Sequence, residues 1–102
     1  MASIKVKFRP STASGKEGSI YYQVIHGRIV RQVKTDYRIF DTEWDKKTSS
    51  MKILPEIGEN RKRYLRKVAE HIDWDARRLK AIVTQCDRQG GIYSVDSIIE
   101  KF

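Results

Sequence analysis

The apolar residues of this chain keep two different periods, and that change constrains the fold more than any single motif. From Ser3 to Arg9 they recur at every second position, and two strand-forming runs follow at Ile20–Ile25 and Arg28–Lys34; from Leu65 to Cys86 they recur at spacings of three, four and seven. Period two lines one face of a strand, and a period near 3.6 lines one stripe of a helix. The expectation is an α+β fold, a three-stranded antiparallel sheet packed against a long C-terminal helix. At 102 residues the chain has room for one domain with a single modest core.

Ser3 to Arg9 places Ile4, Val6 and Phe8 on one side and Lys5, Lys7 and Arg9 on the other, and Pro10 stops the strand because it has no N–H to donate. Ser11 to Gly18 reads as a loop. Ile20–Ile25 and Arg28–Lys34 read as a hairpin with His26-Gly27 as its two-residue turn. In that register Val24 opposes Ile29 and Tyr22 opposes Arg31. One face then holds Ile20, Tyr22, Val24, Ile29, Arg31 and Val33; the other holds Tyr21, Gln23, Ile25, Arg28, Val30, Gln32 and Lys34. The chain stays extended through Tyr37–Phe40, which sets the sheet at about residues 3–40. Asp41 is a candidate cap for a helical turn over Thr42–Asp45, with Trp44 anchoring it to the sheet. Lys46–Pro55 reads as a polar connector. The helix runs over about residues 59–89, either unbroken or interrupted at Asp73-Trp74-Asp75, where a polar residue takes a stripe position. Gly90-Gly91 ends it. Ser94 then caps a second helix from Val95, and its shortness suggests a chain cut from something longer.

The net charge of +8 is concentrated in residues 1–40 (+6) and 61–80 (+5), with mildly acidic segments at 41–60 and 81–102. A basic domain is an ordinary footprint of nucleic-acid binding. No apolar run exceeds three residues, so neither a membrane span nor a signal peptide is expected. One cysteine, Cys86, fits a reducing cytoplasm and lies on the apolar stripe, where it reads as packing. His26, His71 and Cys86 give no metal-ligand spacing, and no nucleophile, carboxylate pair or phosphate loop forms a catalytic constellation. No cofactor and no small-molecule ligand are expected.

Two basic sets stand out. Lys5, Lys7, Arg9, Tyr21, Gln23, Arg28, Gln32 and Lys34 share the polar sheet face, which offers cations for phosphates and Arg and Gln for base edges. A solvated sheet face with ordinary alternation is the plainer reading. Arg61, Lys62, Arg63, Arg66 and Lys67 crowd the helix start, where like charges at i,i+4 and the helix dipole both oppose them. They are candidate phosphate contacts, against the plainer reading of a solvated face balanced by Glu59 and Glu70.

The run Ile20-Tyr21-Tyr22-Gln23-Val24-Ile25-His26-Gly27-Arg28, then Val33-Lys34-Thr35, Ile39-Phe40 and Trp44-Asp45, resembles the N-terminal arm-type DNA-binding domain of tyrosine recombinases, the phage-integrase family of prophages and conjugative transposons. The likeness covers about residues 3–90. Residues 1–90 would be the arm-type domain, and 91–102 the start of a truncated core-binding helical domain. The resemblance implies a sheet inserted in the major groove of accessory arm sites on double-stranded DNA. It implies a full-length enzyme of DNA integration and recombination, with other protomers met through absent domains. The family's catalytic Arg, Lys, His and Tyr lie in a C-terminal domain that has no counterpart here, so this chain is expected to bind DNA and not to cut it. An RNA-binding module is the first alternative, disfavoured because only Tyr21 among the aromatics reaches the polar face. A protein-interaction module built on the helix stripe is the second, disfavoured because the sheet needs that stripe as a cover.

Overall fold

The computed structural model describes residues 2–90 and 92–102. Strands β1 (Ser3–Arg9), β2 (Gly18–His26) and β3 (Ile29–Ile39) form an antiparallel sheet in the order β1-β2-β3. A 3-10 turn at Asp41–Glu43 stops short of the expected Thr42–Asp45, because Trp44–Asp45 (β4) pairs instead with Ser50–Met51 (β5), a strand inside the segment expected to be a plain connector. Two helices follow, α1 (Glu59–Arg88) and α2 (Val95–Lys101). The fold is α+β, with the sheet covered by a 30-residue helix. Among the described residues no helix is long and apolar enough to cross a membrane.

The sheet is one-sided because its sequence alternates. Lys5 pairs with Gln23 and Lys7 with Tyr21, while Val6 pairs with Tyr22 and Phe8 with Ile20. Ile20, Tyr22 and Val24 are fully buried. The hairpin differs from expectation in register. Its turn residues are Gly27 and Arg28, so that His26 opposes Ile29, Val24 opposes Arg31 and Tyr22 opposes Val33. Gly27 has φ +63° and Arg28 does not share the positive sign. A turn with φ > 0 at its first central residue alone calls for Gly at that position, not at the second. Moving the turn by one residue slides the pairing by two, and a two-residue slide leaves each side chain on its own face. The faces therefore match the expectation although the partners do not.

Two further features shape the sheet. The pairing shifts between Ser19 and Tyr21, and Thr35 fills the irregularity: its hydroxyl donates to the Ile20 carbonyl at 2.6 Å and accepts from the Tyr37 amide at 3.2 Å. At the entry to β2, Gly18 lies so close to β1 that a Cβ there would sit 2.2 Å from the Arg9 carbonyl oxygen.

α1 is continuous, and Asp75 shows why the polar position on its stripe does not break it. The Asp75 carboxylate accepts from the Tyr22 hydroxyl at 2.7 Å and from the Tyr37 hydroxyl at 3.2 Å. Burial and the neighbouring Asp75 push both phenols above their ordinary value. Leu65, Val68, Leu79, Val83 and Cys86 are the buried residues of the helix, whereas Ile72 and Ile82 are half-buried. α2 packs into the same core as the sheet and α1: Val95 and Ile98 join Ile20, Tyr22, Val24, Ile39, Leu65 and Leu79 in one cluster. Phe102 meets Tyr22 edge-on at 6.2 Å, and Tyr93 stacks on His26 at 4.4 Å. α2 thus packs on the apolar side of the sheet. Ser94 caps α2 as expected, accepting from the Ser97 amide at 3.1 Å. Gly90, at φ +66°, follows α1; Gly91 of the expected stop lies outside the described residues.

Candidate nucleic-acid interface

The face of the sheet turned away from the helices carries Lys5, Lys7 and Arg9 from β1, Tyr21 and Gln23 from β2, and Gln32 and Lys34 from β3. Register sets them in rows. Lys5, Gln23 and Gln32 lie side by side across the three strands, and Lys7, Tyr21 and Lys34 form the next row. Lys5, Arg9, Gln32 and Lys34 are exposed; Lys7, Tyr21 and Gln23 are half-buried by their neighbours. With strands ~4.8 Å apart, β1 and β3 lie about 10 Å from each other. That span is close to the ~12 Å width of the DNA major groove.

Arg9 is partly engaged within this face. Its guanidinium lies over the Tyr21 ring at 4.9 Å and donates to Gln32 Oε1 at 3.0 Å. Arg carries five N–H donors, so several remain for phosphate or base acceptors. Gln32, with its carbonyl oxygen held, keeps its NH2 to donate. Among the described residues Gln23 has no such tie, and it presents both donor and acceptor, the pair that matches adenine N6 and N7. Arg28 is not in a strand: it occupies the hairpin turn, fully outside the rows, beside the exposed tip residues Ile29 and Val30. From there it reaches past the end of the face instead of lying in its centre.

The second basic set divides. Arg61 is not free for phosphate. Its Nε donates to Glu43 Oε2 at 2.8 Å, and its Nη2 donates to Glu43 Oε1 at 2.6 Å and to Glu17 Oε2 at 2.9 Å. Its guanidinium also stacks between the rings of Phe40 and Tyr64, at 4.9 and 4.8 Å. The hydrogen bonds to Glu43 raise the Arg61 pKa above its ordinary range. Glu43 is nearly buried, and burial alone would raise its carboxyl; the bonds from Arg61 and from the Phe40 amide at 2.8 Å outweigh that and hold it below its ordinary value. Glu43, not Asp41, therefore closes the 3-10 turn. Trp44, beside it, is buried with its ring 6.2 Å from Phe8, as an anchor should be.

Lys62 lies 3.6 Å from Glu59. Arg63, Arg66 and Lys67 are exposed and form no ion pair among the described residues. At 100° per residue they fall opposite the buried stripe of Leu65 and Val68. The stripe packs on the apolar side of the sheet, so these three cations point away from it, and the polar sheet face points the other way. The two basic sets occupy opposite sides of the protein.

Sequence reasoning missed the Glu17–Arg61–Glu43 network and the Asp75 acceptor. Glu43 and Arg61 are 18 residues apart with no periodic relation, so only the turn after β3 brings them together. The polar stripe position at Asp75 was the one available signal. Comparisons with protein-family models, with curated proteins and with solved structures find no match for this chain.

Proposed function

We propose that the polar face of β1–β2–β3 binds double-stranded DNA through the major groove, as the N-terminal arm-type domains of tyrosine recombinases do. One observation carries the reading: cations, amides and a tyrosine stand in aligned rows on the uncovered side of a sheet whose other side is sealed by two helices. A sheet face needs only polar residues to stay in water. Lys5, Lys7 and Arg9 on one outer strand and Lys34 on the other, with Gln23 on the central strand and Gln32 beside it, supply phosphate contacts flanking base-edge contacts.

In this reading Lys5, Lys7 and Lys34 hold phosphates, Gln23 and Gln32 meet base edges, and Arg9 does either while Tyr21 supports it. Arg28 at the turn tip contacts backbone at the end of the site. The chain recognises DNA in the cytoplasm as the targeting part of a recombinase or integrase, and it cuts nothing by itself. Recovery of enriched sites from a random duplex library tests this. An enriched motif whose preference at one position relaxes in Gln23→Ala supports the assignment. A protein that retains duplexes without any preference, or whose motif is untouched by Gln23→Ala and Gln32→Ala together, contradicts base reading by this face.

A further inference from the structure

On the outer side of α1, away from the sheet, Trp74 is 72% exposed at the middle of a 30-residue helix. It lines a shallow groove of about 570 Å³ with Glu70, Asp73, Arg77 and Arg78. Two groups along this groove are already engaged: Arg77 pairs with Asp73 at 3.0 Å, and Arg78 lies over the Phe102 ring at 4.6 Å. Toward the helix N-terminus the same side presents the three unpaired cations Arg63, Arg66 and Lys67. We propose that this side of α1 is a docking surface for an acidic segment of another protein, with an apolar residue seated on Trp74 and carboxylates over Arg63, Arg66 and Lys67.

Trp and Arg are the side chains that most often anchor protein interfaces, and here an exposed Trp lies on the same helix side as Arg63 and Arg66. The arrangement is also polar along its length. At ~1.5 Å per residue the cations begin about 10 Å and end about 16 Å from Trp74, so the partner's carboxylates lie two to three helical turns from its apolar anchor. Glu70 decides between occupants. It stands between Lys67 and Trp74 on the same side of the helix, and with Asp73 it borders the indole. A nucleic-acid strand stacking a base on Trp74 would have to carry its phosphates past both carboxylates. A protein segment can place a neutral or donor group there. Nor does a second copy fit. An antiparallel copy centred on Trp74 would set Arg63, Arg66 and Lys67 against Lys80–Gln85, a stretch with no carboxylate. The surface lies opposite the polar sheet face, and the proposal does not depend on what that face binds.

The test uses the full chain labelled with 15N, read at the Trp74 indole N–H and at the amides of Arg63, Arg66 and Lys67. The first probe is a synthetic helical peptide of about four turns, with leucines at one end and glutamates two to three turns away. Controls are the same peptide with lysines in place of glutamates, and a short oligothymidylate. The proposal expects the acidic peptide to move the indole and all three amides. It expects binding to weaken roughly tenfold or more in Trp74→Ala and in the double variant Arg66→Glu/Lys67→Glu. Both changes are at exposed positions, and the buried Trp44 signal reports that the fold is kept. An acidic peptide that leaves the indole unmoved overturns the proposal. So does tighter binding of the oligonucleotide at Trp74, or a dimer that buries it.

Discussion

Removing the hydroxyl of Tyr22 should cost more than a typical surface or even core hydrogen bond. Tyr22 is fully buried, and its hydroxyl donates at 2.7 Å to Asp75, the single carboxylate on the buried stripe of α1. A hydrogen bond to a charged group contributes roughly 1.5–3 kcal/mol. Tyr22→Phe leaves Asp75 with only the longer bond from Tyr37, at 3.2 Å, so most of that range should be lost. For a domain of this size about 4–8 °C accompanies each kcal/mol, giving a fall in Tm of about 6–24 °C. Asp75→Leu alone strands the Tyr22 hydroxyl in the core and should cost a similar amount. Combined with Tyr22→Phe it removes both partners and should recover much of the loss, a coupling of about 1–2 kcal/mol. Urea unfolding of the four proteins measures it. Additive single effects, or a Tyr22→Phe protein as stable as the parent, would refute the idea that this bond lets a continuous helix carry an aspartate on its core side.

Gly18→Ala should destabilise, against the gain that removing a glycine usually brings through the unfolded chain, because its methyl would meet the Arg9 carbonyl oxygen and Pro10 Cα, which cannot swing aside, as well as the Phe8 ring; a Tm that rises would contradict the close approach to Arg9. Acid stability should track Glu43. Its folded pKa is depressed, so its contribution is complete above its ordinary value of 4.5 and is lost as pH falls below that value; Glu43→Gln should flatten this limb of the stability profile. At the other end, Tyr22 and Tyr37 have raised folded pKa values, so stability should be complete below pH 10.0 and decline above it, less steeply in Tyr22→Phe. Arg61→Ala leaves the buried Glu43 unpaired and should cost about 3–5 kcal/mol, whereas Arg66→Ala should leave unfolding nearly unchanged.

The elements were legible because each rests on local periodicity. Ile4, Val6 and Phe8 against Lys5, Lys7 and Arg9 define a strand and its faces without any partner in view. The pairing was less legible. His26-Gly27 and Gly27-Arg28 are both two-residue turns containing glycine, and only the φ signs separate them. The polar face survived that error because the slide was by two residues. Arg28 did not, since it moved from the face to the tip. Continuity of α1 depended on two tyrosines reaching Asp75 from 53 and 38 residues away, which periodicity does not report. Arg61 looked like its neighbours Lys62 and Arg63 in sequence. Its partners Glu17 and Glu43 lie in two loops that meet at the same end of the sheet, beside the Gly18–Ile39 pair, so its internal role appears only once the chain has folded.

Whether the sheet or the helix meets DNA is decided by an amide NMR titration with a generic duplex at low and moderate salt. Non-specific binding by such a face should be weak, about 10⁻⁴–10⁻⁶ M, and should fall as salt rises. Binding through the sheet should shift Lys5–Arg9, Tyr21–Gln23 and Gln32–Lys34, with Arg28 at their margin. Shifts confined to Arg63, Arg66 and Lys67, or none at low salt, would mean that the sheet is not the DNA-binding face.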